Sequence, residues 1–293
     1  MFLDPIIITF LIIGIGYIVN KKIGFDQVSI NNLLIYVTGP ALTFTLLLNQ
    51  EIILEELSFL FIGVGIVMFI TGVIMKLFLL SEKINKNNLV LPAIFVNSGY
   101  LGLPLVLFAL GEAGLSKAIL VDSIATIFMF SIGVYLVQNN SMKKTEKILA
   151  IFKLPLIYSV IFGLAFNFAS IEIPQLIFAP LELIGRATIP LALLALGAKL
   201  GKIKVATLKV PLVTVVIRLI GGFLVSFGII KIFALDSLTA SVFLLIMVMP
   251  PAVNSFVLNQ KFGSKYEADC AATTVLIGTL LSVIPIAIVL SIV

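Results

Sequence analysis

Runs of about 20 apolar residues alternate with short polar clusters along almost the whole chain, the spacing expected of helices cut to a bilayer's ~30 Å hydrocarbon core. Taking each run between its bounding charges, glycines, prolines and asparagines predicts helices near 4–20, 29–48, 57–80, 87–109, 114–138, 148–169, 174–199, 205–233, 238–259 and 267–292. The first run reads as a retained span, because it lacks preceding basic residues and a small-x-small cleavage site. The longest polar stretch, Gln138 to Lys147, divides the chain into five-helix repeats at 1–138 and 148–293, joined by a loop at 139–147. An odd number of spans per half gives the halves opposite orientations. If they share a fold, they form an inverted repeat with a site at their mid-membrane interface.

Composition removes the soluble alternative. With 61% hydrophobic residues, 11% charged residues and a mean hydropathy of +1.25, the chain has too little polar surface to coat a water-soluble globule. Histidine is absent and Cys270 is the single cysteine, which excludes disulfides, His/Cys zinc sites and Cys-His or Ser-His nucleophile systems. No Gly-rich phosphate loop is present to use ATP. An enzyme is therefore not expected, and neither is a metal site or a cofactor. The net charge of +5 is no nucleic-acid footprint, because the lysines are divided among separate loops.

Those lysines report topology instead. One alternate set of connections carries Lys21, Lys22, Lys76, Lys83, Lys86, Lys143, Lys144, Lys147, Lys153, Lys199, Lys202, Lys204, Lys209, Lys261 and Lys265. The other carries Glu51, Glu55, Glu56, Glu112, Glu172 and Asp236, with only Lys117 and Lys231. Lysine marks the cytoplasmic side, so both termini are expected outside a multi-pass protein of the cell membrane.

Two predicted helices are interrupted. The fourth contains Asn97-Ser-Gly-Tyr-Leu-Gly-Leu-Pro104, and the ninth contains Met249-Pro-Pro-Ala-Val-Asn254. Proline removes a helix hydrogen bond and crowds the preceding turn, so unwinding is expected from Asn97 to Pro104 and from Pro250 to Asn254. In hydrocarbon such a gap persists only where protein buries it or it faces a wet cavity. At 1.5 Å per residue, Asn97 lies ~15 Å and Pro251 ~20 Å along their helices, near the middle of the membrane. Each break frees N–H groups at the positive end of a second half-helix, where an anion fits, and Pro104 suits such a first turn. The amides of Asn97 and Asn254 add donors for a carboxylate or oxygens for a cation. The alternative is a pair of ordinary proline kinks packed against neighbours. Pro40, in Val37-Thr-Gly-Pro-Ala-Leu, and Pro190, in Ala187-Thr-Ile-Pro-Leu-Ala, repeat the pairing between the second and seventh helices.

At these residues the chain resembles the auxin efflux carrier family, which includes plant auxin exporters and bacterial malonate or malate permeases. The resemblance is carried by Asn97-Ser-Gly-Tyr-Leu-Gly-Leu-Pro-Leu105, by Met249-Pro-Pro-Ala-Val-Asn-Ser-Phe-Val257 and by the Phe262-Gly263 turn, and the five-plus-five plan extends it over the chain. It implies an all-α membrane fold in which the fourth and ninth helices cross, as in bile-acid and sodium/proton transporter folds. A substrate carboxylate would lie beside the crossing. It also implies a moving transport domain and a scaffold of the first, second, sixth and seventh helices, through which similar proteins form homodimers. The implied function is secondary transport of a small organic anion by alternating access, coupled to H+ or Na+. A sodium-coupled symporter, a cation/proton antiporter and an anion channel stand as alternatives. Asparagines and prolines in place of adjacent acids favour the anion. The expected substrate residues are Asn97, Ser98, Gly99, Gly102, Pro104, Pro250, Pro251 and Asn254.

Ionisable residues within the spans each cost at least ~2.5 kcal/mol at mid-membrane unless paired or wet. Glu182 and Arg186 are four apart on one helix face, which favours a structural ion pair over a substrate role. Asp122 has no basic neighbour at helical spacing. It stands either as a proton carrier or sodium ligand beside the crossing, or as a solvated vestibule residue about two turns into its helix. Arg218 is expected to pair with Asp122 or Asp269, ahead of attracting the anion. Asp269, near Lys265 and Glu267, is expected at the cytoplasmic surface. Asp122 and Arg218 are thus the candidates for ion coupling.

Overall fold

The computed structural model describes residues 3–24, 26–50, 52–137, 155–233 and 235–292. The connecting loop at 139–147, the start of the predicted helix 148–169, Lys143, Lys144, Lys147, Lys153 and Glu51 lie outside the described residues. Among those described, every regular element is helical, and extended pairing is confined to an isolated bridge between Val96 and Pro251.

The first part of the chain forms α1 (Asp4–Lys22), α2 (Gln27–Leu33), a π turn (Leu34–Thr38), α3 (Gly39–Leu48) and α4 (Leu54–Ser81). A 3-10 turn (Asn87–Val90) enters α5 (Leu91–Ile94), and a second π turn (Ser98–Gly102) enters α6 (Leu103–Phe128). A third (Met129–Gly133) leads to α7 (Val134–Val137). The later part forms α8 (Pro155–Phe168), α9 (Gln175–Arg186), α10 (Thr188–Leu200), α11 (Lys209–Val216), α12 (Gly222–Phe233), α13 (Ser237–Met247), α14 (Val253–Phe262), α15 (Lys265–Leu281) and α16 (Val283–Ile292).

Six helical runs among the described residues are long and apolar enough to cross a membrane, or seven if α15 and α16, bent by 41°, count as one. The hydropathy pattern predicts ten, and the differences have physical causes. The predicted fourth and ninth helices are cut short by their breaks, and the sixth begins outside the described residues. The run Ser98–Gly133 extends over 36 residues, ~54 Å at 1.5 Å per residue, well beyond a ~30 Å core. It is broken at Gly111, whose φ of 68° and ψ of −165° are open to glycine and strained for other residues.

The molecule is apolar outside and selectively polar inside. Leu176, Ile232 and Phe69 are 89%, 77% and 71% exposed, whereas Asn97, Asp122, Arg218 and Asn259 are buried. That distribution suits a lipid solvent, in which polar groups must find partners within the protein. The hydroxyls of Thr45, Thr71, Thr214, Thr274 and Thr279 do so by donating to the carbonyl four residues earlier. At helix ends the Asn167 amide donates to the carbonyls of Leu47, Leu48 and Gln50, closing the C-terminus of α3. Glu56 of α4 accepts from Lys117 of α6 at 2.5 Å and from Thr239 of α13 at 2.7 Å, tying three helices together.

Small residues let α1 and α10 touch backbone to backbone. A Cβ on Gly197 would lie 1.9 Å from the Ile13 carbonyl oxygen, and one on Gly16 would lie 2.3 Å from that of Leu194. Lipid offers no hydrophobic drive between helices, so such close packing supplies the attraction. Gly197→Ala should therefore destabilise the protein by about 1–3 kcal/mol, the usual cost of overpacking. Thermal denaturation in detergent checks this against Gly14→Ala, which has no neighbour within 4 Å and should be near neutral.

Candidate functional site

The two interrupted segments meet. Asn97 donates its backbone N–H to the Pro250 carbonyl at 2.9 Å, and Ala252 donates to the Phe95 carbonyl at 2.8 Å, giving a short antiparallel pair around Val96 and Pro251. Unwinding is narrower than Asn97 to Pro104. The chain leaves α5 at Phe95 and is helical again from Ser98, because a π turn accommodates Gly99 and Gly102 and Pro104 falls at the second position of α6. In the other segment the helix resumes at Val253, so Asn254 belongs to its first turn. Gly278 lets Pro251 settle here, since a Cβ on it would lie 2.6 Å from the Pro251 ring.

A cavity of about 130 Å³ opens beside the pair. Asn97, Ser98, Gly99, Asn254 and Asp122 line it; Gly102, Pro104, Pro250, Pro251 and Arg218 do not. Gly102 packs against Ile246, where a Cβ would come within 2.8 Å of the side chain. Asp122 is 8% exposed on the wall of this cavity, and Ser98 Oγ donates to its Oδ1 at 2.5 Å. Its Oδ1 lies 3.4 Å from where a Cβ on Gly99 would be, so the carboxyl rests against the start of the second half-helix. Asn97 is 2% exposed, and its Nδ2 is buried without a hydrogen-bond partner. A buried amide donor left unpaired on a cavity wall costs about 1–3 kcal/mol and is poised to donate to a ligand.

Several further wall residues are absent from the expected substrate set, although Tyr100 and Thr188 lie inside motifs that the sequence marks. Thr43, Tyr100, Thr126 and Thr188 place hydroxyls around the cavity. Tyr100 donates to Asn31 Oδ1 at 3.2 Å, and Thr188 Oγ1 is buried without a partner. The signal that reached two of them was indirect: Thr43 follows Pro40 and Thr188 precedes Pro190, the two prolines paired by position in the sequence.

The expected pairing of Arg218 with Asp122 or Asp269 does not form. Arg218 donates instead to the carbonyls of Ile94 at 3.1 Å, Ala93 at 3.4 Å and Met247 at 2.5 Å. The breaks leave these carbonyls without N–H partners, and an arginine inside a low-dielectric core takes the nearest acceptors. Glu182 and Arg186 do pair, at 3.0 Å, and with Glu112 they line a second cavity of about 280 Å³. Leu42 borders both cavities. Asp269 is half-buried.

These features define a multi-pass membrane protein with a largely apolar cavity that carries a few polar groups beside its broken helices. The chain belongs to the membrane transport protein family, that of the auxin efflux carriers, whose model matches residues 1–290. It is 27% identical to an uncharacterized transporter of Methanocaldococcus jannaschii, over 97% of this chain and 96% of that one. It is 26% identical to a Rhizobium meliloti protein named "Putative malonate transporter", over 93% and 89% of the two chains. An uncharacterized transporter of Methanothermobacter thermautotrophicus is 24% identical over 96% and 95%.

Proposed function

We propose that this protein is a secondary carrier of small organic anions of the size of malonate, which bind at the paired breaks and travel with a proton on Asp122. The observation that carries this reading is the buried, unpartnered amide of Asn97 on the cavity wall. Beside it, the first turns starting at Ser98 and Val253 supply N–H groups and the positive ends of two helices, the polarity that suits a carboxylate. The relative named for malonate agrees with a short carboxylic acid.

Asp122 supplies the coupling. It lines the same small cavity, so an incoming carboxylate meets another carboxyl at close range. Two such groups cannot both stay ionised at low cost, and one proton held between them removes the repulsion. Uptake should therefore be driven by an inward proton gradient, and sodium should be dispensable.

The wider plan is part of the same proposal: ten helices in two inverted halves, 1–138 and 148–293, with both ends outside. The support is positional. The breaks at Phe95–Asn97 and before Val253 fall at matching places in the halves, and hydrogen bonds tie Lys209 to Glu82 and Lys76 to Asn87 among the lysine-bearing connections. The two cavities, on either side of Leu42, are read as the inner site and the outer vestibule of an alternating-access carrier. Leu42, which borders both cavities, would be the closed gate, with Leu115 and Ile189 of the second cavity's wall buried beside it.

Counterflow of labelled malonate in proteoliposomes tests the reading. Saturable exchange stimulated by internal unlabelled malonate is the expected result. Non-saturating flux with single-channel currents would make the protein a channel, and no response to any short mono- or dicarboxylate would end the proposal.

A further inference from the structure

Arg218 projects from a π turn (Ile217–Gly221) between α11 and α12, and none of it is exposed. Its partners are not arbitrary. In an unbroken helix the carbonyl of residue i accepts the N–H of residue i+4. Met247 would need residue 251, a proline without an N–H. Ala93 would need Asn97, whose N–H goes to Pro250. The breaks thus leave free carbonyls at the partially negative ends of α5 and α13. One guanidinium donates to both ends, through Nη1 to Ala93 and Ile94 and through Nη2 to Met247. Gly222 makes the room: a Cβ there would lie 2.5 Å from Arg218 Nη2 and 2.3 Å from the Met247 oxygen.

The polarity of the paired breaks is therefore divided. Their negative ends are filled by a side chain of the protein, while their positive ends begin at Ser98 and Val253, beside the cavity. We propose that Arg218 is a resident cation that sets the charge selectivity of the cavity, doing for the carbonyl ends what a bound metal cation would otherwise have to do. It acts as a positioning residue, touching the helix ends and not the solute. The inference rests on the organic-anion reading above. Without Arg218 the carbonyl ends at Ala93, Ile94 and Met247 would stand uncompensated within the same paired breaks, and the cavity would lose its preference for negative charge.

The experiment uses the full chain, purified and reconstituted, as wild type, Arg218→Lys and Arg218→Ala. Malonate counterflow is competed with unlabelled malonate and with its uncharged diamide, malonamide. In the wild type malonate should compete and malonamide should not. Arg218→Ala should shrink that discrimination at least tenfold, and added guanidinium chloride should restore it where equal sodium chloride does not. Arg218→Lys keeps the charge and should keep the discrimination. A folded Arg218→Ala that discriminates as the wild type does would overturn the proposal, as would a folded Arg218→Lys that has lost discrimination.

Melting temperature gives a readout independent of the solute. Arg218→Ala should melt lower than the wild type and recover with guanidinium, since a ligand that binds only the folded state stabilises it. If the wild type takes up no malonate, the transport reading fails while this rescue still judges Arg218. If Arg218→Ala does not fold, the competition assay on Arg218→Lys decides.

Discussion

Asp122→Asn should uncouple transport from protons while leaving exchange intact. The amide keeps the shape of the carboxyl and can still accept from Ser98 Oγ, so the bond now 2.5 Å long survives in kind. What it cannot do is gain or lose a proton. In the wild type the anion-loaded site holds a proton on or beside Asp122, so affinity for the anion rises as pH falls and an acidic outside drives uptake. Each coupled proton contributes tenfold accumulation per unit of pH gradient, because one unit is worth about 1.4 kcal/mol. The variant should show flat uptake against external pH, lose that tenfold factor and retain malonate counterflow. Its transport should also carry one more negative charge per cycle and respond more strongly to a membrane potential set with potassium and valinomycin. Wild-type pH dependence in Asp122→Asn would remove Asp122 from the coupling step and leave its bond to Ser98 as a structural tie.

Asn97 is marked by its own chain neighbours, whereas Asp122 takes its setting from a distant segment. The breaks were legible because proline and glycine act on their own backbone: Pro251 lacks the N–H that Met247 would need, whatever surrounds it. The outward apolar face was legible for a similar reason, since lipid sorts residues by hydropathy alone. Asp122 depends instead on a residue 24 positions away, Ser98, which no local spacing announces. Arg218 shows the limit more sharply. Charge logic alone directs an arginine to an aspartate, yet the strongest call on it comes from helix carbonyls at Ala93, Ile94 and Met247, backbone groups that every residue carries and no composition reveals. The predicted bounds 87–109 and 114–138 put Gly111 between two helices, and its positive φ is what allows a helical run of 36 residues to change direction there.

Asn97→Ala separates a ligand-binding amide from a structural one by sign. A side-chain amide that holds the fold together has partners, and removing it lowers stability. The Nδ2 of Asn97 has none, and a buried unpaired donor costs about 1–3 kcal/mol in the empty protein. Truncation to alanine should accordingly leave the melting temperature of the ligand-free protein unchanged or raised, with the backbone N–H still bonded to Pro250. Binding should move the other way. A hydrogen bond to a charged group contributes about 1.5–3 kcal/mol, so the Kd for malonate should weaken by about 10- to 150-fold and the thermal shift on adding malonate should largely vanish. Asn97→Asp sharpens the contrast, because it sets a second carboxyl on the cavity that Asp122 lines and should reject the anion outright near neutral pH. Loss of stability in empty Asn97→Ala, with malonate affinity untouched, would assign the amide to the fold and move the anion elsewhere.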